Sequence, residues 1–389
     1  MRAIPLKPGV YWVGAVDWFL RTFHGYTTDQ GATYNAYLIM DEKVALIDTV
    51  KAPFAEELLA RVAQVVPLER VDYLVSNHVE MDHSGAIPQA MARMPKAQLV
   101  TCSPQGQRGL TAHYGAGYPY LPVKAGDSIS LGRRTLRFIP TPMLHWPDNM
   151  MTYCPEEKIL FSNDAFGQHY ASGGRFDDEE PLADVMRQAA KYYANIVMPY
   201  PAQAKAALKA VEPLAIDLIA PSHGVIWRAH IPDILAAYKK WSDNTPPKAA
   251  VVVFDSMWHS TEKMALAISE GFLAQGVCVK LHDLKTSHMS DIITDLLEAS
   301  CLAVGSPTLN NNLLPTVSAF LTYLAGLAPK GRKGFAFGSY GWGGQSIGQV
   351  GQALTAAGIE PLMEPVRQHY VPGPDDLAAL TARVRDLAL

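Results

Sequence analysis

The sequence lacks several features that would place it quickly in a class of protein. No uninterrupted apolar run approaches the roughly 20 residues of a membrane-spanning helix. The N-terminal segment carries Pro5, Pro8 and Asp17 where a signal peptide needs an apolar stretch. The formal net charge is −4, and no basic cluster is suited to a nucleic-acid backbone. We therefore expect neither a membrane nor a nucleic acid as a partner.

Two further absences concern cofactors and the redox environment. No GxGxxG motif occurs with an acidic residue placed for a ribose, which argues against NAD(P) as the resident cofactor. The four cysteines, Cys102, Cys154, Cys278 and Cys301, form no CxxC pair, which excludes an appended rubredoxin-like or zinc-ribbon module. Scattered cysteines without an export signal indicate reduced thiols and a cytoplasmic protein.

The chain divides at a proline-rich segment. Its 389 residues exceed one ordinary domain, and 49% of them are hydrophobic against 18% charged, which is ample material for buried cores. The segment SDNTPPK at 242–248 follows an amphipathic stretch and precedes the run AAVVVF, as a linker does. We therefore predict one domain over residues 1–246 and another over residues 247–389.

The second half alternates regularly between two kinds of segment. Five apolar runs predict buried strands, and five helical stretches alternate with them; the runs are AVVVF, VCVKLHDL, CLAVGS, KGFAFGS and PLMEPVR. This alternation predicts an α/β fold with a doubly wound parallel sheet. Ligands of such sheets bind at the carboxyl ends of the strands.

The first half mixes strands and helices less regularly. Neighbouring strands are predicted at ATYNAYLIM and VALIDTV, and helices at PFAEELLARVAQVV and PLADVMRQAAKYYANIV. Further apolar runs end in polar residues, as VDYLVSNH and IDLIAPSHG do. Runs of strands with helices grouped around them predict an αβ sandwich.

Histidines and carboxylates collect where these apolar runs end. The stretch SNHVEMDHSG places His78, Glu80, Asp82 and His83 within six positions, and charged groups near a core are costly unless they are paired or bound to a cation. Three further candidates follow other apolar runs: His145, Asp164 and His223. Seven candidate ligands are more than a single metal ion binds, so a bridging Asp164 would divide them into two sites. Imidazole and carboxylate without thiolate fit iron, manganese or zinc.

These motifs together resemble one family. The first half is similar to the metallo-β-lactamase fold, an αβ/βα sandwich whose hydrolases carry HxHxDH at this strand end. This chain has HxExDH, with Glu80 in place of the second histidine, and an anionic oxygen favours a harder, redox-active ion over zinc. With LHWPDNM, SNDAFGQH and PSHG, the whole chain resembles the flavodiiron proteins, or A-type flavoproteins, which also carry a flavodoxin-like domain.

The resemblance implies a ligand set. One iron would be held by His78, Glu80, His145 and Asp164, and the other by Asp82, His83, Asp164 and His223, with Asp164 bridging. His83 is the position at which members of the family differ, since the matching side chain turns away from the metal in some of them. His24 and His169 match histidines beside the diiron centre, and Tyr193 is expected to add a hydroxyl to the same pocket.

Three loops of the second half resemble the FMN site of flavodoxins. In the first, a strand, a Ser/Thr-rich loop and a helix form an anion site suited to a phosphate. The residues expected around the phosphate are Ser256, Met257, Trp258, His259, Ser260 and Thr261. Those expected beside the isoalloxazine are Pro307, Thr308, Leu309 and Asn310 on one side and Ser339, Tyr340, Gly341, Trp342 and Gly343 on the other.

The resemblance implies an oxidoreductase that reduces O2 to water, or NO to N2O, at the diiron site. FMN would pass on electrons from a separate donor, either rubredoxin or reduced coenzyme F420. A head-to-tail homodimer, or a dimer of such dimers, would set the FMN of one subunit beside the diiron site of the other.

Two other functions are consistent with parts of this pattern. A dinuclear zinc hydrolase with an accessory flavodoxin-like domain would share the sandwich fold, and fold does not fix function. Glu80 is the residue that discriminates against it. A flavin-bearing redox or gas sensor would use the same metal pair, but the sequence shows no DNA-binding or signalling module.

Overall fold

The computed structural model describes residues 2–389, which divide into two compact units. The first unit comprises the chain up to Phe23 together with Thr28–Tyr192 and Ala202–Lys239. The second comprises His24–Thr27, Tyr193–Pro201 and Lys240–Leu389. Over the part of the chain described, no helix has the length and apolar character needed to cross a membrane.

The strands are short and follow the apolar runs of the sequence. In chain order they are β1 (Ile4–Lys7), β2 (Val10–Trp12), β3 (Ala15–Asp17), β4 (Thr22–Phe23), β5 (Tyr26–Thr27), β6 (Ala32–Tyr34), β7 (Tyr37–Ile39), β8 (Val44–Ile47), β9 (Val71–Ser76), β10 (Gln98–Cys102), β11 (Tyr120–Val123), β12 (Ser128–Ser130), β13 (Thr135–Pro140), β14 (Met150–Cys154), β15 (Ile159–Asn163), β16 (Leu218–Pro221), β17 (Ala249–Phe254), β18 (Cys278–Asp283), β19 (Cys301–Gly305), β20 (Lys333–Tyr340), β21 (Glu360–Pro361) and β22 (Val366–His369).

Most of the helices are amphipathic and lie between the strands. They are α1 (Ala55–Ala63), α2 (Met81–Ser84), α3 (Ile87–Arg93), α4 (Gln105–Tyr114), α5 (Leu182–Tyr192), α6 (Pro201–Val211), α7 (Ile231–Asp243), α8 (Ser260–Ala274), α9 (Met289–Leu297), α10 (Pro315–Leu327), α11 (Gln345–Ala356) and α12 (Pro374–Arg385).

The first unit contains two main sheets. One has seven strands in the order β1-β2-β7-β8-β9-β10-β11, and the other has five in the order β12-β13-β14-β15-β16. Successive residues of a strand point to opposite faces of its sheet. Accordingly Leu46 and Leu74 pack with Leu58 of α1 on one face of the larger sheet. This face is therefore covered by helices.

The other face of the seven-stranded sheet packs against the five-stranded sheet. Ile47 and Val75, which alternate with the residues of the helix-covered face, share a core with Phe138 of β13 and Phe161 of β15. Two sheets packed face to face, with helices outside the larger one, agree with the sandwich expected from the sequence.

The strand ends of the first unit bring the candidate ligands to one edge of each sheet. β8, β9 and β10 run parallel, and so do β15 and β16. His78 lies two residues after β9, Asp164 directly after β15, and His223 two residues after β16. Since parallel strands share a carboxyl-terminal edge, polar side chains that follow them are placed close together.

The second unit has the parallel sheet predicted from the sequence. Its order is β18-β17-β19-β20-β21, and β22 pairs with β20 in parallel as well. The run PLMEPVR, predicted as one strand, instead forms part of two short ones, β21 and β22. Pro361 and Pro365 explain the difference, because proline has no N–H to donate to a neighbouring strand.

Candidate metal centre and cofactor pocket

The seven predicted ligands converge in two adjacent groups. The ligand atoms of His78, Glu80, His145 and Asp164 all lie within 4.8 Å of one another. The same limit holds for a second group, formed by Asp82, His83 and His223. Two clusters of nitrogen and oxygen ligands at such separations match the ligand chemistry of paired divalent metal ions.

The carboxylate of Asp164 faces both groups. Its Oδ2 lies 3.5 Å from His145 Nε2 and 3.7 Å from His78 Nε2. Its Oδ1 lies 2.9 Å from His83 Nε2 and 3.6 Å from His223 Nε2. One oxygen directed at each group is the arrangement that a bridging carboxylate requires.

Several buried atoms of the second group have no hydrogen-bond partner within residues 2–389. They include Asp82 Oδ1, His83 Nε2 and His223 Nε2, and Asp164 Oδ2 in the first group shares this property. Buried polar atoms without partners are costly, and a cation would satisfy all of these lone pairs at once. The donor set therefore fits the metal pair that the sequence implies.

The imidazole of His83 points into the cluster. Its Nε2 lies 3.4 Å from Asp82 Oδ1 as well as 2.9 Å from Asp164 Oδ1. The ring is buried and approaches that of His223 with centroids 4.7 Å apart. The orientation suits coordination, although the role of His83 as a ligand stays a prediction.

The two kinds of ligand shift each other's protonation. Burial alone would lower the pKa of His78, but hydrogen bonds with Asp148 and Glu80 raise it well above its ordinary value. Burial alone would raise the pKa of Asp164, but the positive charges of His83 and His78 lower it well below its ordinary value. The anionic form of Asp164 is therefore favoured, and this is the form that binds cations.

Two residues that sequence reasoning missed orient the imidazoles. Asp148 Oδ2 lies 2.9 Å from His78 Nδ1 and also accepts from the backbone N–H of Val79 at 2.8 Å. The carbonyl of Thr33 accepts from His223 Nδ1 at 2.6 Å. Each contact places the proton on Nδ1 and turns Nε2 toward the cluster, as in other metal sites. Asp148 lies within the motif LHWPDNM, so it could have been predicted from that motif. The role of Thr33 could not have been predicted, because every residue has a backbone carbonyl.

His169 and Tyr192 border the second group. The ring of His169 meets those of His223 and Tyr192 edge-on, with centroids 4.7 Å and 5.1 Å away. Burial, reinforced by the charge of His223, lowers the pKa of His169 well below its ordinary value. The hydroxyl of Tyr192 donates to Asp164 Oδ1 at 3.0 Å. Tyr193, and not its neighbour Tyr192, had been named from the sequence for a hydroxyl in this pocket.

Two predicted residues belong to the second unit. Tyr193 is buried beside Trp241, with ring centroids 5.1 Å apart, and burial raises the pKa of its phenol. Helix α5 ends at Tyr192, and Tyr193 begins a π-helical turn over Tyr193–Val197, so the two rings have different surroundings. His24 is exposed in the turn between β4 and β5. Catalytic roles for His24, His169 and Tyr193 stay predictions.

A cavity of about 630 Å³ opens at the carboxyl ends of β17, β19 and β20 in the second unit. Its lining includes every residue predicted for the FMN site except His259, Thr261 and Leu309. Thr261 instead joins two of the loops, with its Oγ1 3.1 Å from Ser339 Oγ. The lining also contains Asn311, Tyr370 and Val371, which sequence reasoning missed.

The cavity suits a molecule with an anionic end and a flat aromatic part. Ser256 and Ser260 line it where α8 begins, and a helix N-terminus with hydroxyl groups favours a phosphate. Trp258 and Trp342 are 86% and 92% exposed at its rim, and such rings can stack on a flat cofactor.

Comparison with known proteins identifies the family of each half of the chain. Residues 32–224 match the model of the ODP family beta lactamase, and residues 252–381 match that of flavodoxin. A nitric oxide reductase of Moorella thermoacetica is 48% identical, covering 97% of this chain and 96% of its own. A coenzyme F420H2 oxidase of Methanothermobacter marburgensis is 42% identical, over 98% of this chain and 97% of its own.

A solved structure extends the likeness to the backbone. The rubredoxin oxygen:oxidoreductase of Desulfovibrio gigas superposes with a TM-score of 0.96 at 41% identity, covering 98% of this chain and 97% of that one. Sandwich, metal-ligand cluster and flavodoxin-like pocket together define an oxidoreductase that combines FMN with a non-haem diiron centre. The chain belongs to the flavodiiron protein family. This confirms the predicted fold, enzyme class and cofactors, and it disfavours the zinc hydrolase.

Proposed function

We propose that the chain reduces O2 to water or NO to N2O at a diiron centre held by the seven converging side chains. His78, Glu80 and His145 serve one iron, Asp82, His83 and His223 serve the other, and Asp164 bridges them. The observation that carries this proposal is the placement of one oxygen of Asp164 toward each group. The predicted boundary between residues 246 and 247 is proposed as the division between the diiron and FMN domains.

The residues around the centre act by holding geometry and protons. A ferrous pair held by these residues would supply two electrons to a small gas molecule, and bound FMN would supply electrons one at a time. Asp148 and Thr33 keep Nε2 of His78 and His223 aimed at the cluster, which avoids reorganisation during turnover. The hydroxyl of Tyr192 holds a proton at Asp164 Oδ1, beside the neutral imidazole of His169. Catalytic roles are also proposed for His24, His169 and Tyr193.

Electrons arrive from a separate protein or coenzyme. We favour rubredoxin or reduced coenzyme F420, because relatives that align over nearly the whole chain are named for these two donors. Supplying each donor to the same purified protein discriminates between them. The donor that sustains rapid gas uptake is the physiological candidate, and uptake with neither contradicts this part of the proposal.

A head-to-tail homodimer, or a dimer of such dimers, is proposed as the active assembly, in the cytoplasm. The four cysteines are free thiols, and three of them are buried, which suits a reducing compartment. Sedimentation combined with gas uptake tests the assembly. A monomer that carries both cofactors and is fully active would contradict it.

Gas uptake by the fully loaded protein tests the main proposal. The protein is reduced anaerobically, supplied with electrons through rubredoxin, and given O2 or NO in separate runs. We expect rapid consumption of one or both gases, and the ratio of the two rates identifies the preferred substrate. Protein that holds two irons and one FMN but consumes neither gas would refute the proposal.

A further inference from the structure

One wall of the cofactor cavity lies outside the three loops that the sequence indicated. Tyr370 and Val371 line it together with the loop that follows β20. Both residues come directly after β22, which pairs with β20 along Phe337–Tyr340. The sheet itself therefore delivers a fourth segment to the cavity rim.

The fourth segment is fixed to the loop that contains Gly341. The backbone N–H of Tyr370 donates to the Tyr340 carbonyl at 2.7 Å, and His369 Nε2 donates to the Gly341 carbonyl at 2.6 Å. The ring of His369 also packs between those of Tyr340 and Tyr370, with centroids 5.3 Å and 4.4 Å away. Tyr370 thus has a defined position beside residues predicted to contact the cofactor.

The backbone of Tyr370 is strained while its ring is mostly exposed. Its φ is +55°, a left-handed conformation that costs free energy for a bulky residue. The side chain is 59% exposed, so the strain does not place it in the core. A methyl group at Gly341 would lie only 3.4 Å from Tyr370 Cε1, so the ring passes close over that loop. An exposed ring held in this way at a cavity rim indicates contact with a ligand.

We propose that Tyr370 forms a further wall of the FMN pocket and packs against the bound cofactor. The inference rests on the assignment of this cavity to FMN and adds a residue to it. An aromatic ring at the rim contributes contact area at low entropic cost and restricts the access of water to the flavin. The left-handed backbone at Tyr370 sets the direction in which the ring leaves the end of β22, and the ring lies at the cavity rim.

Three substitutions at Tyr370 distinguish the effect of its ring on FMN binding from the effect of its backbone conformation. Tyr370→Phe keeps the ring, Tyr370→Ala removes it, and Tyr370→Gly removes it while relieving the left-handed conformation. Each protein is stripped of FMN, and the dissociation constant is measured by quenching of flavin fluorescence. We expect Phe to match the wild type, and Ala and Gly each to weaken binding about two- to tenfold. Leu281→Ala, at an exposed position of β18 outside the cavity, is the matched control.

The visible circular dichroism of bound FMN gives a second readout that a purely structural role would not change. The flavin bands are expected to differ in the Ala and Gly variants while their thermal unfolding stays near that of the control. Wild-type affinity and an unchanged flavin spectrum in the Gly variant would overturn the proposal. Weaker binding by Ala but not by Gly would also overturn it, because the backbone alone would then be responsible. Failure of the wild type itself to bind FMN would instead refute the assignment of the cavity.

Discussion

The metal cluster and the cofactor cavity are built in opposite ways. The cluster is made of charged side chains: His78 and His223 are fully buried, and Asp164 is 2% exposed. The cavity is made of loops that contain small and aromatic residues, and two tryptophans at its rim are almost fully exposed. A cation at the first site would be held by a few directed lone pairs, whereas a cofactor in the second would be held by many weak contacts.

This difference determines how each site responds to damage. Removal of one buried metal ligand leaves its neighbours as charged groups without a partner, which is costly. Removal of one contact in the cavity leaves the rest in place, because contact energies there are small and spread over several loops. Substitutions in the cluster should therefore have large effects confined to iron, and those in the cavity should have moderate effects confined to FMN.

The largest effect is expected for Asp164→Asn. The amide supplies only one neutral oxygen, so neither group keeps its bridging anion, and we expect iron affinity to fall by more than the roughly 100-fold seen for residues that merely orient ligands. Iron content, measured after gel filtration, should drop from two per chain while FMN content stays unchanged. Asp178→Asn, at an exposed carboxylate, is the control. Retention of both irons by the Asp164 variant would contradict the bridging role.

A smaller loss is expected for Asp148→Asn. The amide cannot accept from both His78 Nδ1 and the backbone N–H of Val79 with the strength of a carboxylate. Iron affinity should fall by about 10- to 100-fold, mainly at the group that contains His78. Competition with a chelator measures it, and FMN affinity in the same protein serves as the internal control. An unchanged chelator titration would show that Asp148 does not orient the histidine.

A moderate effect is expected in the cavity for Ser260→Ala. A phosphate bound at the start of α8 would lose the hydrogen bond expected from this hydroxyl, and binding of FMN by the stripped protein should weaken about three- to tenfold. Iron content should not change. Riboflavin, which lacks the phosphate, supplies the control, because its affinity should be the same in the wild type and the variant. An equal loss of affinity for FMN and riboflavin would show that Ser260 contacts a part of the flavin other than the phosphate.

The contrast between the sites also explains what the sequence could predict. Metal ligands are recognised by residue type, so HxExDH and the three strand-end residues were sufficient to predict a cluster that the fold assembles. Residues in the loops around a flat cofactor are recognised only by their position in the fold. Tyr370 could not be predicted from the sequence because its place at the cavity depends on the pairing of β22 with β20. The split of PLMEPVR into two strands follows from its prolines, which the apolar pattern concealed.

Residues that act through others are the least predictable of all. Thr33 orients His223 through its carbonyl, which every residue possesses. Tyr192 and Tyr193 are adjacent aromatic residues of similar burial, and only the rotation of the helix decides which hydroxyl meets Asp164. Local sequence does not fix that rotation, because it depends on packing against the rest of the unit.

The smallest effect is expected for Tyr192→Phe, which tests whether the two groups of metal ligands respond differently to the loss of one hydrogen bond. The substitution keeps the buried ring and removes one hydrogen bond to Asp164 Oδ1, which is typically worth about 1 kcal/mol. That oxygen faces the group of Asp82, His83 and His223, so its basicity toward one iron should change and the other iron should be unaffected. We expect two irons and normal FMN content.

Mössbauer spectra of the diferrous protein distinguish the two irons directly. One of the two quadrupole doublets should shift in Tyr192→Phe, because its hydroxyl contacts Asp164, and Tyr193→Phe tests the neighbouring hydroxyl in the same way. Two unshifted doublets in the Tyr192 variant would show that the hydroxyl only fills space. A shift caused by Tyr193→Phe instead would favour that residue's predicted place in the gas pocket. Either result would identify which of two adjacent hydroxyls the diiron centre senses.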